Sequence, residues 1–238
     1  MAKCANNITV GVVLLAAGLS TRMGKNKCLL PWKEQTVLET VAEAFVDCIP
    51  KVAVVGHDYN LMEPLLANHN FEVQHNLYPE DGQAVSLRIG IEACLEEAVL
   101  LEVAEDITEN RYKRKVVIDE DTKYESLDGV ICAVADQPLL TKDVVQCLLD
   151  CFSLISVEDR HKAIILPIYG KAKTPGNPVL FGAHWIKALL DLEGDVGGKA
   201  IIKGEGAQHV IQVPISDENI GKDIDTPESY KKLFELWG

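Results

Sequence analysis

The sequence has no apolar run near the roughly 20 residues that a membrane-spanning helix needs. Its opening residues, MAKCANNITV, hold no signal-peptide core ahead of the first apolar segment. The seven cysteines form no Cys-x-x-Cys pair, and their odd number argues against a secreted disulfide framework. The expected compartment is the cytoplasm, with no membrane attachment. Basic charge is also scarce: 23 Lys and Arg stand against 36 Asp and Glu, a net charge of −13. General nucleic-acid binding, which needs an extended basic surface, is thereby disfavoured. The histidines at 57, 69, 75, 161, 184 and 209 show no metal-ligand spacing. Cys147 and Cys151, four apart on one helix face, read as core. Neither G-x-S-x-G nor G-x-x-x-x-G-K-[ST] occurs, so the chain carries no hydrolase elbow and no P-loop. No repeat or low-complexity linker divides it.

What is present is a core and one cationic loop. With 238 residues and 47% hydrophobic content, the chain can fill one large α/β domain or two small ones. Val12 to Ala17 is an unbroken apolar run, the pattern of a strand buried on both faces. It stops at Gly18 and gives way to Ser20, Thr21, Arg22, Gly24, Lys25 and Lys27. Gly18 and Gly24 allow close approach of the main chain, whose N–H groups can point at phosphate oxygens. Arg22, Lys25 and Lys27 supply counter-charge. In so acidic a chain, this loop suits a small anion better than a polyanion.

Strand-like and helix-like stretches then alternate. Thr36 with Glu39 reads as a capping box ahead of a helix. Strands are expected at 51–55, 71–73, 129–135, 163–167, 179–181 and 209–213. Helices are expected at 60–68, from Gln83 onward, and at 141–152, 183–192 and 196–204. Thr226 and Pro227 then open a final helix to Leu236. This alternation predicts an α/β sandwich around a largely parallel sheet. Residues 96–128 hold eleven acidic against five basic side chains and read as a surface excursion, with a small alternating piece at 115–118.

In such folds ligands gather at the carboxyl ends of strands. Asp136 lies there, after the apolar strand 129–135, and a carboxylate in that position needs a partner or a cation. With a triphosphate on the first loop, Mg²⁺ accounts for it, since that ion uses one or two carboxylates plus phosphate oxygens. A turn-capping role before Pro138 accounts for it as well. Asp225 is a second candidate, though Asp ahead of Thr-Pro also commonly begins a helix.

Leu15-Ala16-Ala17-Gly18-Leu19-Ser20-Thr21-Arg22-Met23-Gly24, with Lys27 and Pro31, resembles the signature of the MobA-like nucleotidyltransferases, and within them the molybdenum cofactor cytidylyltransferases. The likeness continues in order through Asn76, Gly82 with Ser86 and Leu87, and Ala135-Asp136-Gln137-Pro138. It extends to Gly176-Asn177-Pro178, Gly194-Asp195-Val196-Gly197 and Asp223-Ile224-Asp225-Thr226-Pro227. The resemblance implies a Rossmann-like, GT-A-like nucleotidyltransferase fold over one domain, 1–238, with the acidic insertion at 96–128. It implies transfer of a nucleoside monophosphate from an NTP with release of pyrophosphate. Leu15, Ala17 and Gly18 then border the nucleotide, and Arg22 and Lys27 hold the triphosphate. Asn76, Gly82 and Ser86 lie toward base and ribose, Asp136 and Asp225 bind Mg²⁺, and Asn177 and Asp195 face the acceptor. Arg22, Lys27 and Asp136 are the expected catalytic set. Ala17, where guanylyl-transferring relatives usually carry Gly, points to CTP over GTP. Molybdenum cofactor is the implied acceptor, with a molybdoenzyme or chaperone left open as protein partner. Cys28 departs from the leucine usual after the signature lysine. Transfer with GTP, transfer to a sugar phosphate or other acceptor, and non-catalytic delivery of cofactor remain as rivals.

Overall fold

The computed structural model describes residues 8–108 and 126–237. Strand β1 (Val10–Ala16) is followed by a loop, a 3₁₀ turn at Lys27–Leu29 and a short hairpin of β2 (Pro31–Trp32) and β3 (Gln35–Thr36). Helix α1 (Val37–Glu43) starts on the anticipated capping box, with Thr36 and Glu39 each bonding the other's backbone N–H. Next come β4 (Lys51–Val55), α2 (Tyr59–Ala67), β5 (Glu72–His75) and the long α3 (Gln83–Thr108). After residue 126 the chain forms β6 (Gly129–Val134), α4 (Lys142–Ser153), α5 (Val157–Arg160), β7 (Ile164–Tyr169), β8 (Thr174–Pro175) and β9 (Val179–Gly182). It ends with α6 (Ile186–Leu190), α7 (Lys199–Lys203), β10 (Val210–Ile215) and α8 (Pro227–Trp237).

The main sheet runs β10-β7-β9-β6-β1-β4-β5, with β8 paired to β7. β1 is parallel to β4 and to β6, β4 to β5, and β10 to β7, while β9 runs antiparallel to both its neighbours. From β1 the chain moves outward to β4 and β5, then returns to place β6 on the other side of β1. Strand order reverses there, so a crevice opens at the carboxyl ends of β1 and β6.

Side chains alternate between the faces of the sheet, as a strand period of two requires. On one face Val12, Leu14 and Ala16 pack with Leu38, Phe45, Met62 and Leu66, and with Leu148 and Phe152 of α4. On the other, Val13, Val52 and Val54 meet Leu87, Ile91 and Leu95 of α3 and Ile186 and Leu189 of α6. A third, smaller cluster joins Met23, Leu30, Trp32, Val37, Leu139, Ile224 and Leu233. It ties together the loops that follow β1, β6 and β10, and α8 closes it through Tyr230 Oη, which donates to the Pro31 carbonyl at 2.6 Å.

Several expectations shift. The strand expected at 71–73 is Glu72–His75 because its pairing partner β4 sets the register. The helix expected at 183–192 divides into a 3₁₀ turn, Ala183–Trp185, and α6. The helix expected at 196–204 shrinks to Lys199–Lys203, since the glycines at 197 and 198 are poor helix formers. The acidic excursion begins as a continuation of α3 to Thr108, and the alternating piece at 115–118 lies outside the described residues. Among the described residues no helix is long and apolar enough to cross a membrane.

Candidate active site

The loop after β1 is shaped by its own short side chains. Ser20 takes the left-handed conformation, φ 51°, and its Oγ accepts from the Lys27 N–H at 3.2 Å. Asn26 opens the 3₁₀ turn, its Oδ1 accepting from Cys28 N–H at 2.9 Å and its Nδ2 donating to Asp58 at 2.8 Å. Lys27 is therefore fixed at its backbone on both sides. Its ammonium is ion-paired with Asp136 and lies 3.2 Å from Asp225 Oδ1. Arg22 Nη2 reaches the other oxygen of Asp225 at 3.1 Å.

The two acidic loops are tied to each other. Ile224 N–H donates to the Asp136 carbonyl at 2.9 Å, and Gln137 Nε2 donates to Asp223 Oδ1 at 2.7 Å. Burial pulls the Lys27 ammonium down in pKa, but attraction and hydrogen bonding from Asp136 and then Asp225 outweigh it, and the net shift is upward. Asp223 is pushed up, first by burial and then by Asp136, with the Gln137 hydrogen bond opposing. Burial drives the Cys28 thiol up to about 12, which rules it out as a nucleophile near neutrality.

A cavity of about 550 Å³ sits over these groups. Leu15, Ala17, Gly18, Arg22, Lys27, Gly82, Ser86, Asp136, Asp195 and Asp225 all line it. Asn76 does not. It is buried behind the wall, where its Nδ2 donates to Ser86 Oγ at 2.9 Å and its Oδ1 accepts from Tyr78 N–H at 2.9 Å. Asn177 lines a second cavity of about 460 Å³, which shares Leu15, Gln83 and Val134 with the first. Lys25 faces a separate hollow beside the loop, bordered by Gly56, His57 and Asp58.

The carboxylates suit a divalent cation. Asp136 Oδ1 is buried with no hydrogen-bond partner, a costly state that a cation would relieve. Asp136 and Asp225 already converge on one positive charge, the Lys27 ammonium. Among the described residues no group of three or more His, Cys, Asp or Glu side chains is placed to hold a metal. Two carboxylates that leave the remaining positions to phosphate and water are the usual Mg²⁺ arrangement.

Sequence reasoning gave no role to Asp223, Gln137, Ser20 or Asn26. The first two stood inside recognised blocks, and the last two are small polar residues whose hydrogen bonds become visible only in the folded loop.

A crevice at a strand-order reversal, a glycine-bearing cationic loop and converging carboxylates define a nucleotide-handling α/β protein. The MobA-like NTP transferase domain matches residues 12–210, and the chain belongs to that family of nucleotidyltransferases. It is 25% identical over 224 residues to the molybdenum cofactor cytidylyltransferase of Escherichia coli K12, covering 93% of each chain. It is 27% identical over 233 residues to the purine catabolism protein PucB of Bacillus subtilis 168, covering 92% of each. Among solved structures, a nucleotidyl transferase from Methanothermobacter thermautotroptrophicus superposes with a TM-score of 0.70 at 19% identity over 98% of both chains. Rv0371c of Mycobacterium tuberculosis H37Rv in complex with manganese gives 0.63 at 20% identity, over 95% of this chain and 98% of that one. The mostly parallel sheet flanked by helices is the nucleotidyltransferase fold.

Proposed function

We propose that the chain is a Mg²⁺-dependent cytidylyltransferase that moves CMP from CTP to the phosphate of molybdenum cofactor. The observation that carries this reading is the convergence of Asp136 and Asp225 on Lys27 beneath the Gly18 loop, inside one cavity. An oxygen of the acceptor phosphate attacks the α-phosphorus of CTP. The new P–O bond forms as the bond to the β-phosphate oxygen breaks, and pyrophosphate departs.

Such a transfer needs no protein nucleophile, because positioning and charge neutralisation supply most of the acceleration. Lys27 and Arg22 neutralise the triphosphate. The backbone at Leu15, Ala17 and Gly18 borders the nucleotide, and Gly82 and Ser86 lie toward base and ribose, with Asn76 bracing Ser86 from behind. Asn177 and Asp195 face the acceptor. Asp136 and Asp225 hold the divalent ion, whose chemistry when bound is to offset phosphate charge and align phosphate oxygens. Ala17, which lines the cavity, is the residue that favours CTP. The whole chain is read as one such domain, acting in the cytoplasm. Similarity to PucB, a protein of purine catabolism by its name, supports a second reading in which the same machinery uses another nucleotide or acceptor.

The test is pyrophosphate release with CTP or GTP, Mg²⁺ and molybdenum cofactor, with mass analysis of the product. A cytidylylated cofactor is expected, together with loss of turnover in Asp136→Ala. Near-normal Mg²⁺-dependent activity in Asp136→Ala would sink the assignment. Nucleotide-dependent thermal stabilisation without pyrophosphate release would point to a delivery protein.

A further inference from the structure

The second cavity differs from the first in charge and in texture. The first is lined by five carboxylates, Glu80, Asp81, Asp136, Asp195 and Asp225, against Arg22 and Lys27. The second has no carboxylate on its wall, yet Lys199 and Lys203 both line it. They stand four residues apart on α7, which places them on one helix face. Neither is ion-paired among the described residues. In a chain of net charge −13, two cations on a cavity wall that holds no carboxylate form a local anion-attracting patch.

The floor of this cavity is apolar. Val134 of β6, Val179 and Phe181 of β9 and Leu166 of β7 come from adjacent strands, with Leu87 of α3 and Ile202 of α7 at the sides. Polar groups, Asn177 and Gln83 among them, are few. A polyhydroxylated ring placed on such a floor would lose water and gain few hydrogen bonds. A flat heterocycle would lay the faces of its ring on the floor and keep its polar edge for Asn177, Gln83 and Gln212. The two cavities meet at Leu15 and Val134, which pair across β1 and β6 at the strand ends where the transfer is placed.

We infer that Lys199 and Lys203 set acceptor specificity, by selecting a phosphate ester with a flat heterocyclic ring, its hydrogen-bonding groups at the edge, and a second anionic group remote from the reacting phosphate. This rests on the transferase reading above, and it separates a pterin-type acceptor from a sugar phosphate. The reacting phosphate lies at the junction of the cavities, the ring on the floor, and the second anion against the two lysines. Both lysines are specificity residues and take no part in bond making.

The test is equilibrium binding to the full chain of molybdenum cofactor and of glucose 1-phosphate, with Mg²⁺-CTP binding measured alongside. K199E/K203E is expected to weaken binding of molybdenum cofactor at least about tenfold, the scale of a lost charged hydrogen bond, with CTP affinity within about twofold of wild type. K199R/K203R should restore most of the lost affinity, and glucose 1-phosphate should bind neither protein saturably. Equal cofactor affinity in K199E/K203E and wild type overturns the inference. Tighter binding of glucose 1-phosphate, or no cofactor binding by the wild-type chain, does so too. If K199E/K203E also loses CTP affinity through misfolding, K203Q alone is read by the same criteria, with a threefold loss expected. The two readings fail differently. Cofactor held through the lysines without pyrophosphate release removes the transfer and leaves the specificity; cytidylyl transfer indifferent to the lysines removes the specificity and leaves the transfer.

Discussion

Lys27 stands between the two carboxylates that would share a divalent ion, and its own charge holds them together. On the proposed reading, Asp136 and Asp225 would hold a divalent ion that supplies the charge Lys27 now gives them, and the ammonium would be available to neutralise phosphate. Lys27→Met is therefore expected to cut pyrophosphate release by at least about a hundredfold, the scale of losing one preorganised charge. It should also lower stability without added metal by about 2 kcal/mol, by stranding the half-buried Asp136 carboxylate. Part of that loss should return when Mn²⁺ is added without nucleotide, read as a rise in Tm. A Tm in Lys27→Met that ignores Mn²⁺ would contradict this account. Asp136 was legible as a carboxylate at the end of an apolar strand and Lys27 as part of a cationic glycine loop, whereas Asp225, ten residues beyond β10, was singled out chiefly by the resemblance of its block. Asp223 and Gln137 were not, because their role is to hold other loops and depends on a partner more than eighty residues away.

At the scale of elements, the turn into α3 decides how the two cavities join. Gly82 has φ +105°, and a Cβ there would lie 2.5 Å from the backbone of Gly194. Ala84 N–H also donates to the Gly194 carbonyl at 3.1 Å, so the 194–198 loop rests on this turn. Gly82→Ala must either strain the turn or push that loop away. A cost of roughly 1–3 kcal/mol is expected, with KM raised for both substrates. Gly24, φ +67°, has open space where its Cβ would sit, so Gly24→Ala should carry only the conformational cost, about 1 kcal/mol. Equal effects from the two substitutions, in urea melts and in KM, would show that the contact with Gly194 does not matter. Elements with local signals were legible: the capping box at Thr36, the apolar run of β1, and the Thr226-Pro227 helix start, where Thr226 Oγ1 accepts from Ser229 N–H at 3.2 Å. The β2–β3 hairpin escaped notice because two-residue strands show no period. The antiparallel course of β9 escaped because it is set by pairing with β6 and β7, and no local pattern reports which strands pair.

Over the whole molecule, helices cover both faces of the sheet except where the second cavity opens onto it, and this cover buries thiols along with aliphatic side chains. Cys28, Cys48 and Cys94 are pushed up to about 12, chiefly by burial, and Cys132 is raised for the same reason. A thiol in the unfolded chain titrates near its ordinary value of 9.0. Below that pH both states keep the proton, so the contribution to stability is complete and constant. As pH rises past 9, the unfolded chain releases protons that the folded core retains, and stability falls until the folded thiols titrate in turn. Each such thiol adds a slope of about 1.4 kcal/mol per pH unit once the unfolded form is fully ionised. The raised pKa of Lys27 acts in the same sense, but only above its ordinary value of 10.5. Urea-denaturation free energies should thus be nearly level from pH 7 to 8.5 and drop steeply from 9 to 10.5. Cys94 is fully buried, its Sγ beside Gly11, so Cys94→Ala lowers stability everywhere by opening space. It should also flatten the alkaline slope by one proton's worth. The slope is what tests the account: a decline equally steep in Cys94→Ala would mean that the buried thiols do not set the alkaline limit of this fold.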